Sequence, residues 1–202
     1  SEPERKKTSR FIQHCLLGTA EQVITEALTI AVLREDACKR LPEFSIDALS
    51  RLLAQSQRPE YIEEAIGCWG NAESYEDAKI RTKKLIIPLI PVLQGPQIVQ
   101  MVALFQNNNQ LSDSFFTRDI ILDLFRHSSQ YAEDTKHAWV QLYEQFCEVR
   151  QGKLIQQKIP SLLSLIEDTY PNDIDPIRAQ IREQYVQQRY EDGTQDEFFD
   201  TF

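Results

Sequence analysis

Apolar residues recur with a helical period along nearly the whole chain. One stripe, at i, i+4, i+7 and i+8, comprises Ile24, Leu28, Ala31 and Val32. Another follows Ser45, a good N-cap residue, and comprises Ile46, Leu49, Leu52 and Leu53. Pro59 is placed to begin a further helix that ends between Gly67 and Gly70. No segment shows the alternation of a half-buried strand, so the pattern predicts an all-α fold.

The most apolar segment runs from Leu85 to Leu93. Because it is apolar on all sides, we expect it to be buried between neighbouring elements. Pro88 and Pro91 forbid a regular helix through it. The sequence therefore predicts a helix over about 75–87, followed by a kinked or broken turn.

Later stripes predict the remaining helices. Ser112 or Asp113 is expected to cap a helix whose inner face carries Phe116, Ile120, Leu124 and Phe125. An aromatic stripe follows at Trp139, Leu142, Tyr143 and Phe146. After Gly152, one helical face comprises Ile155, Ile159, Leu162, Leu163 and Ile166. Asp175-Pro176 is expected to begin a last helix over about 175–190.

The predicted helices pair with a regular spacing of roughly 35 residues, over 20–56, 60–93, 97–126 and 131–168. That spacing is typical of stacked antiparallel helical hairpins, and an irregular helical bundle is the alternative. We expect one all-helical domain over 1–190 and an acidic, aromatic tail over 191–202.

The hairpin spacing resembles that of HEAT and armadillo modules. In addition, Leu85 to His127 and Trp139 to Phe146 resemble helical modules of large bacterial multidomain proteins, such as those attached to signalling ATPases. The matching features are the Leu-Ile-Pro run, the Asn-Gln break, the Leu-Phe helix end and the Trp helix. The resemblance implies a regulatory or scaffold part of a larger protein and assigns no functional residue.

Charge and composition narrow the function classes. With 31 acidic and 22 basic residues the net charge is -9, which disfavours nonspecific contact with phosphate backbones. No apolar run reaches the roughly 18 residues that would span a bilayer. The chain lacks an initiator Met and an apolar signal core, so we expect a piece of a longer, cytoplasmic protein. The four cysteines are far apart and are expected to be reduced.

Candidate catalytic and metal-binding groups do not form recognisable motifs. His14, His127 and His137 lack the short spacings of helical metal sites, and no cysteine carries a nucleophile signature. No glycine-rich phosphate loop is present in the sequence. The adjacent carboxylates are typical of solvated faces in an acidic helical protein. We therefore expect no catalytic residue, no metal and no cofactor.

A basic cluster at Lys79, Arg81, Lys83 and Lys84 is the best nucleic-acid candidate. Lys79 and Lys83 would share a helix face, but no aromatic side chains are interleaved for stacking on bases. A solvated outer face that balances Glu73, Glu76 and Asp77 is the favoured interpretation of the cluster. A nucleic-acid-associated helical domain is thus the alternative function.

The C-terminal tail offers a candidate protein-binding motif at Phe198, Phe199, Asp200 and Phe202. It resembles acidic two-phenylalanine motifs that membrane-contact adaptor domains bind, and the Phe-x-Asp-x-Phe motif that clathrin-adaptor appendages bind. Such a tail docks either on a partner or on its own domain. The leading hypothesis is a non-enzymatic helical protein-interaction or scaffold module.

Overall fold

The computed structural model describes residues 54, 59–150, 153–156 and 159–191. These residues are helical apart from one short antiparallel hairpin, which confirms the predicted all-α class. They belong to two compact units, one ending at Thr135 and one beginning at Lys136, and each is considered by itself. The HEAT-like stacking and the single domain over 1–190 stay predictions. None of the described helices is both long enough and apolar enough to cross a bilayer.

The described part of the first unit contains five α-helices and the start of a sixth. They are α1 Pro59–Gly70, α2 Tyr75–Arg81, α3 Gly95–Asn107, α4 Asn109–Asp113, α5 Phe115–Ser128 and α6 Ala132–Phe146. Helix α1 packs on α3, and α2, α4 and α5 pack on one another. The large apolar side chains that are fully covered include Ile66, Trp69, Leu85, Met101, Phe105 and Leu124.

The α-helix predicted over about 75–87 ends earlier, at Arg81, and irregular helical turns follow it through both prolines. Helix α2 passes into a π-helical turn at Thr82–Ile86 and then into a 3₁₀ helix at Ile87–Val92. Proline lacks an amide hydrogen and its ring clashes with the preceding turn, so a regular α-helix cannot continue. The segment buries three of its apolar side chains, Leu85, Ile86 and Leu89.

The carboxyl end of α1 shows how these elements are joined. The last four carbonyl groups of a helix have no partner within it. In α1, two of them accept from backbone amides of the following turn. The carbonyl of Gly70 accepts from the Asn108 side chain at 2.8 Å, and that of Cys68 accepts from Arg81. The end of α1 is therefore held by side chains from α2 and from the α3–α4 junction.

Helix α5 begins at a different residue from the one predicted. Ser112 and Asp113 lie inside the short helix α4. The N-cap of α4 is Asn108, whose side-chain oxygen accepts from the Gln110 amide at 2.8 Å. The N-cap of α5 is Ser114, whose hydroxyl accepts from the Thr117 amide at 3.3 Å. The buried face predicted for this helix is confirmed at Ile120, Leu124 and Phe125, whereas Phe116 is half-buried.

The described part of the second unit contains the rest of α6, a hairpin and two helices. Strands β1 Cys147–Arg150 and β2 Lys153–Gln156 pair antiparallel, and α7 Pro160–Thr169 and α8 Pro171–Glu191 follow. The covered apolar side chains include Trp139, Leu142, Leu162, Leu163 and Ile166, as predicted.

Two predicted helix boundaries in the second unit are wrong. Ile155 belongs to β2 rather than to a helical face, since α7 begins only at Pro160. Proline at the first helical position needs no amide partner, so it favours a start there. For the same reason α8 begins at Pro171, and Pro176, the expected start, lies inside the helix.

Candidate interaction surface

Phe115 is the most exposed large apolar side chain of the described residues, with 71% of its surface open to solvent. It is the first residue of α5, directly after the Ser114 cap. Residues two apart on a helix point about 200° from each other. Because Thr117 is buried, Phe115 must therefore face outward.

The ring of Phe115 is covered on one side by Arg118. The guanidinium carbon lies 4.9 Å from the ring centre, within the range of a cation–π contact. The Arg118 Nε atom donates to the Ser112 carbonyl at 2.7 Å, and an Nη atom lies 3.9 Å from Asp113. These contacts fix the arginine, so the phenylalanine rests on an ordered side chain.

Carboxylates border this aromatic side chain. The Asp113 side chain is 57% exposed, whereas that of Arg118 is only 17% exposed. Asp119, one helical turn after Phe115, is also exposed and forms no ion pair with another described residue. We call Asp113, Phe115, Arg118 and Asp119 the Phe115 surface. It presents an apolar ring and two carboxylates to solvent, while its cation is largely covered.

A buried hydroxyl network supports α5 beneath the Phe115 surface. Thr82 donates to the Ala78 carbonyl at 2.7 Å, so its oxygen is left to accept. It accepts from the Trp69 indole at 2.8 Å, and Thr117 must donate to it across 3.1 Å. All these side chains are covered, and satisfied buried networks rigidify a core. The network joins α1, the π-helical turn and α5.

Of the predicted basic cluster, Arg81 does not share an exposed face with the three lysines. Arg81 is only 1% exposed: its Nε donates to Asp77 at 2.8 Å, and the guanidinium also bonds to Cys68. Lys79 pairs with Glu76 at 3.3 Å. Lys83 is exposed and Lys84 is half-buried. Arg81 is therefore a structural residue that joins α2 to the end of α1.

The predicted tail residues Phe198, Phe199, Asp200 and Phe202 lie outside the residues that the structure describes. The same holds for His14, Cys15 and Cys38. Their proposed roles stay predictions.

The described histidines and cysteines are not gathered around a common centre. His127 lies 3.2 Å from the Leu93 carbonyl, and His137 is exposed on α6. Cys68 and Cys147 are both buried free thiols. Within residues 59–150, 153–156 and 159–191, no three His, Cys, Asp or Glu side chains are arranged to hold a metal ion.

The second unit contains a cluster of two buried residues, Tyr143 and Cys147, and two half-buried ones, Glu167 and Arg178. The Tyr143 hydroxyl donates to the Glu167 carboxylate, which lies 3.7 Å from Arg178. Burial raises the pKa of Tyr143, and its bond to Glu167 raises it further. Burial also raises the pKa of the Cys147 thiol. Both groups thus hold their protons more tightly than usual, which suits a structural contact and not a nucleophile.

Sequence reasoning missed the Phe115 surface because only the inner face of this helix was assigned a role, at Phe116. The available signal was helical periodicity, which places Phe115 about 180° from Leu124 and so on the outer face.

Comparison of the chain with protein families, with curated proteins and with solved structures found no match.

Proposed function

We propose that this chain is a non-enzymatic protein-interaction module that binds its partner through the Phe115 surface. The exposed Phe115 ring, held against an ordered arginine, carries the proposal. Aromatic residues, phenylalanine among them, and arginine are enriched in protein–protein interfaces relative to the rest of the surface. Burying the ring against a partner would remove apolar surface from water, which stabilises a complex by about 25 cal/mol per Å².

The order of the surface supports this function further. Binding usually costs about 0.5–1.5 kcal/mol for each flexible side chain that becomes fixed. Arg118 is already fixed by the Ser112 carbonyl, and the helix beneath it by the Thr82–Thr117 contact. A partner would therefore meet a preorganised contact.

The other functional hypotheses are less well supported by the described residues. Arg81 does not contribute to a nucleic-acid-binding face, because it is buried against Asp77 and Cys68. The scaffold role, the cytoplasmic location and the tail motif at Phe198, Phe199, Asp200 and Phe202 remain part of the proposal as predictions.

Quantitative pull-down tests the proposal directly. Wild type, Phe115→Ala and the exposed-residue control Glu144→Gln are used as baits in a lysate of the source cell. We expect a protein that wild type and Glu144→Gln retain and that Phe115→Ala loses, and that binds the purified chain with the same dependence on Phe115. Equal recovery of every protein by all three baits would contradict the proposal.

A further inference from the structure

We infer that the partner of the Phe115 surface is a basic, partly apolar segment of another protein. The inference rests on the proposed function and specifies the chemistry of the partner. It follows from the charges that surround the ring, from their positions on the helix and from the charge of the whole chain.

The local charges favour a cationic partner. Asp113, whose carboxylate lies 3.9 Å from Arg118, and Asp119, one helical turn after Phe115, are both exposed, and Asp119 has no ion pair within the described part of the chain. The neighbouring cation, Arg118, is only 17% exposed and already contacts the ring and Asp113. A partner that covers Phe115 therefore meets carboxylates. An acidic segment would place further negative charges next to them, which is unfavourable.

The positions of these groups limit the partner further. Asp119 follows Phe115 by four residues, so their Cβ atoms lie roughly 5–6 Å apart on the helix surface. A complementary segment must place a lysine or arginine about one helical turn from the apolar side chains that receive the ring. Within a helical partner, those residues would be three or four positions apart.

The charge of the whole molecule acts in the same direction. At -9, the chain attracts basic partners over long range and raises their association rate at low salt. Nucleic acids and anionic membrane surfaces are repelled by the same field. Of the macromolecules that could cover Phe115, a basic protein segment fits both the local and the overall charge.

Two synthetic helical peptides of equal length and equal leucine content test the inference on the full chain. One carries lysine at its polar positions and the other carries glutamate, and binding is followed by fluorescence anisotropy at low and at raised salt. We expect the lysine peptide to bind and the glutamate peptide to bind at least about tenfold more weakly.

Variants of the surface show whether binding occurs there. Phe115→Ala should weaken binding of the lysine peptide about tenfold or more, whereas Phe115→Leu should retain most of it. Asp119→Asn should weaken it about two- to fivefold and reduce its salt dependence, because one exposed charge pair is lost. Glu144→Gln, which removes an exposed carboxylate on α6, should change neither quantity.

The inference is overturned if the glutamate peptide binds as tightly, or if Phe115→Ala binds the lysine peptide like wild type. It is also overturned if a cellular partner that depends on Phe115 makes its contact with an acidic segment, an outcome that leaves the proposed function intact. If the pull-down recovers no protein whose binding depends on Phe115, the proposed function itself is contradicted.

Discussion

Arg81 illustrates, at the scale of single residues, how one side chain changes the function that a basic cluster suggests. In the sequence it is one of four cations within six residues. In the structure it is buried, because Asp77 lies one turn before it and the Cys68 carbonyl needs a donor. A buried charge is tolerated when it is paired and hydrogen-bonded. Arg81 therefore contributes to stability and not to a binding face.

Arg81→Met should lower the free energy of unfolding by roughly 1.5–3 kcal/mol, the range for hydrogen bonds to a charged group. The substitution leaves the Cys68 carbonyl and the Asp77 carboxylate without this donor. Lys79→Met on the same helix is the matched control, since an exposed pair contributes no more than about 1 kcal/mol. Urea unfolding of both variants measures the difference. Equal losses of unfolding free energy would show that Arg81 contributes no more to stability than the exposed Lys79 does.

Tyr143 makes the stability of the second unit dependent on alkaline pH. Its folded-state pKa is raised above the ordinary value of 10.0, first by burial and then by its bond to Glu167. A raised pKa means that the folded chain keeps a proton that the unfolded chain loses. The contribution is fully present below pH 10 and is lost as the pH rises towards the folded-state pKa.

We expect the free energy of unfolding of wild type to fall above about pH 10, by up to about 1.4 kcal/mol per pH unit for this group. Tyr143→Phe has no ionisable hydroxyl, so its stability should fall less steeply. Tyr75→Phe, at an exposed tyrosine, is the control. Parallel slopes for wild type and Tyr143→Phe in urea unfolding between about pH 8 and pH 11 would refute this account.

At the scale of elements, the connections show how local chemistry and packing share control of the chain. The prolines at 88 and 91 end α-helical geometry by themselves. The end of α1 is different, because its last carbonyls need donors that come from other elements. Gly70 also lies close to Leu104 of α3, and a Cβ there would be 2.7 Å from the leucine Cδ2.

The two glycines of α1 should respond oppositely to alanine. Gly67 has open space around the Cβ position, so Gly67→Ala should stabilise the protein by about 0.5–1 kcal/mol through helix propensity. Gly70→Ala should destabilise it by about 1–3 kcal/mol, because the Leu104 side chain must move. Thermal and urea unfolding compare the pair.

Leu104→Ala serves as the control for the Gly70 prediction. If the clash is the cause, adding Gly70→Ala to Leu104→Ala should cost less than adding it to wild type. An undiminished cost in the double variant would locate the strain in the backbone instead.

At the scale of the whole molecule, the chain divides into two compact units, and the second unit has buried apolar residues of its own chain segment, among them Leu142, Leu162 and Ile166. The second unit depends on a small core, to which α7 contributes Leu162, Leu163 and Ile166. Its polar cluster at Tyr143 and Glu167 joins α6 to α7. Loss of one large core side chain should therefore affect the amides of this unit first.

Leu162→Ala should cost roughly 2–5 kcal/mol, the usual range for a buried leucine. In native-state hydrogen exchange we expect protection to decrease in α7 and α8 while amides of α1 and α3 keep theirs. The exposed neighbour Ser161→Ala is the control. A loss well under 1 kcal/mol would show that the Leu162 site is not a packed core position.

Local patterns in the sequence by themselves determined the helical class, the break at the prolines and most buried faces. Each depends on residues a few positions apart, because helical periodicity and proline geometry act within one or two turns. The start of α5 also depends on neighbouring residues, but three consecutive capping residues offer three starts within two residues of one another. Phe115 lies on the outer face whichever of them caps the helix, because its separation from Leu124 places the two residues about 180° apart.

Only the tertiary structure decided the contacts between distant residues. Thr82 meets Thr117 across 35 positions, and Arg81 reaches a carbonyl 13 positions earlier. The sequence pattern does not show which polar side chains are buried. The free-energy cost of burying one depends on hydrogen-bond partners that folding brings together. The Phe115 surface arises in the same way: the covered Arg118 and the open carboxylates are set by the packing of α4 against α5.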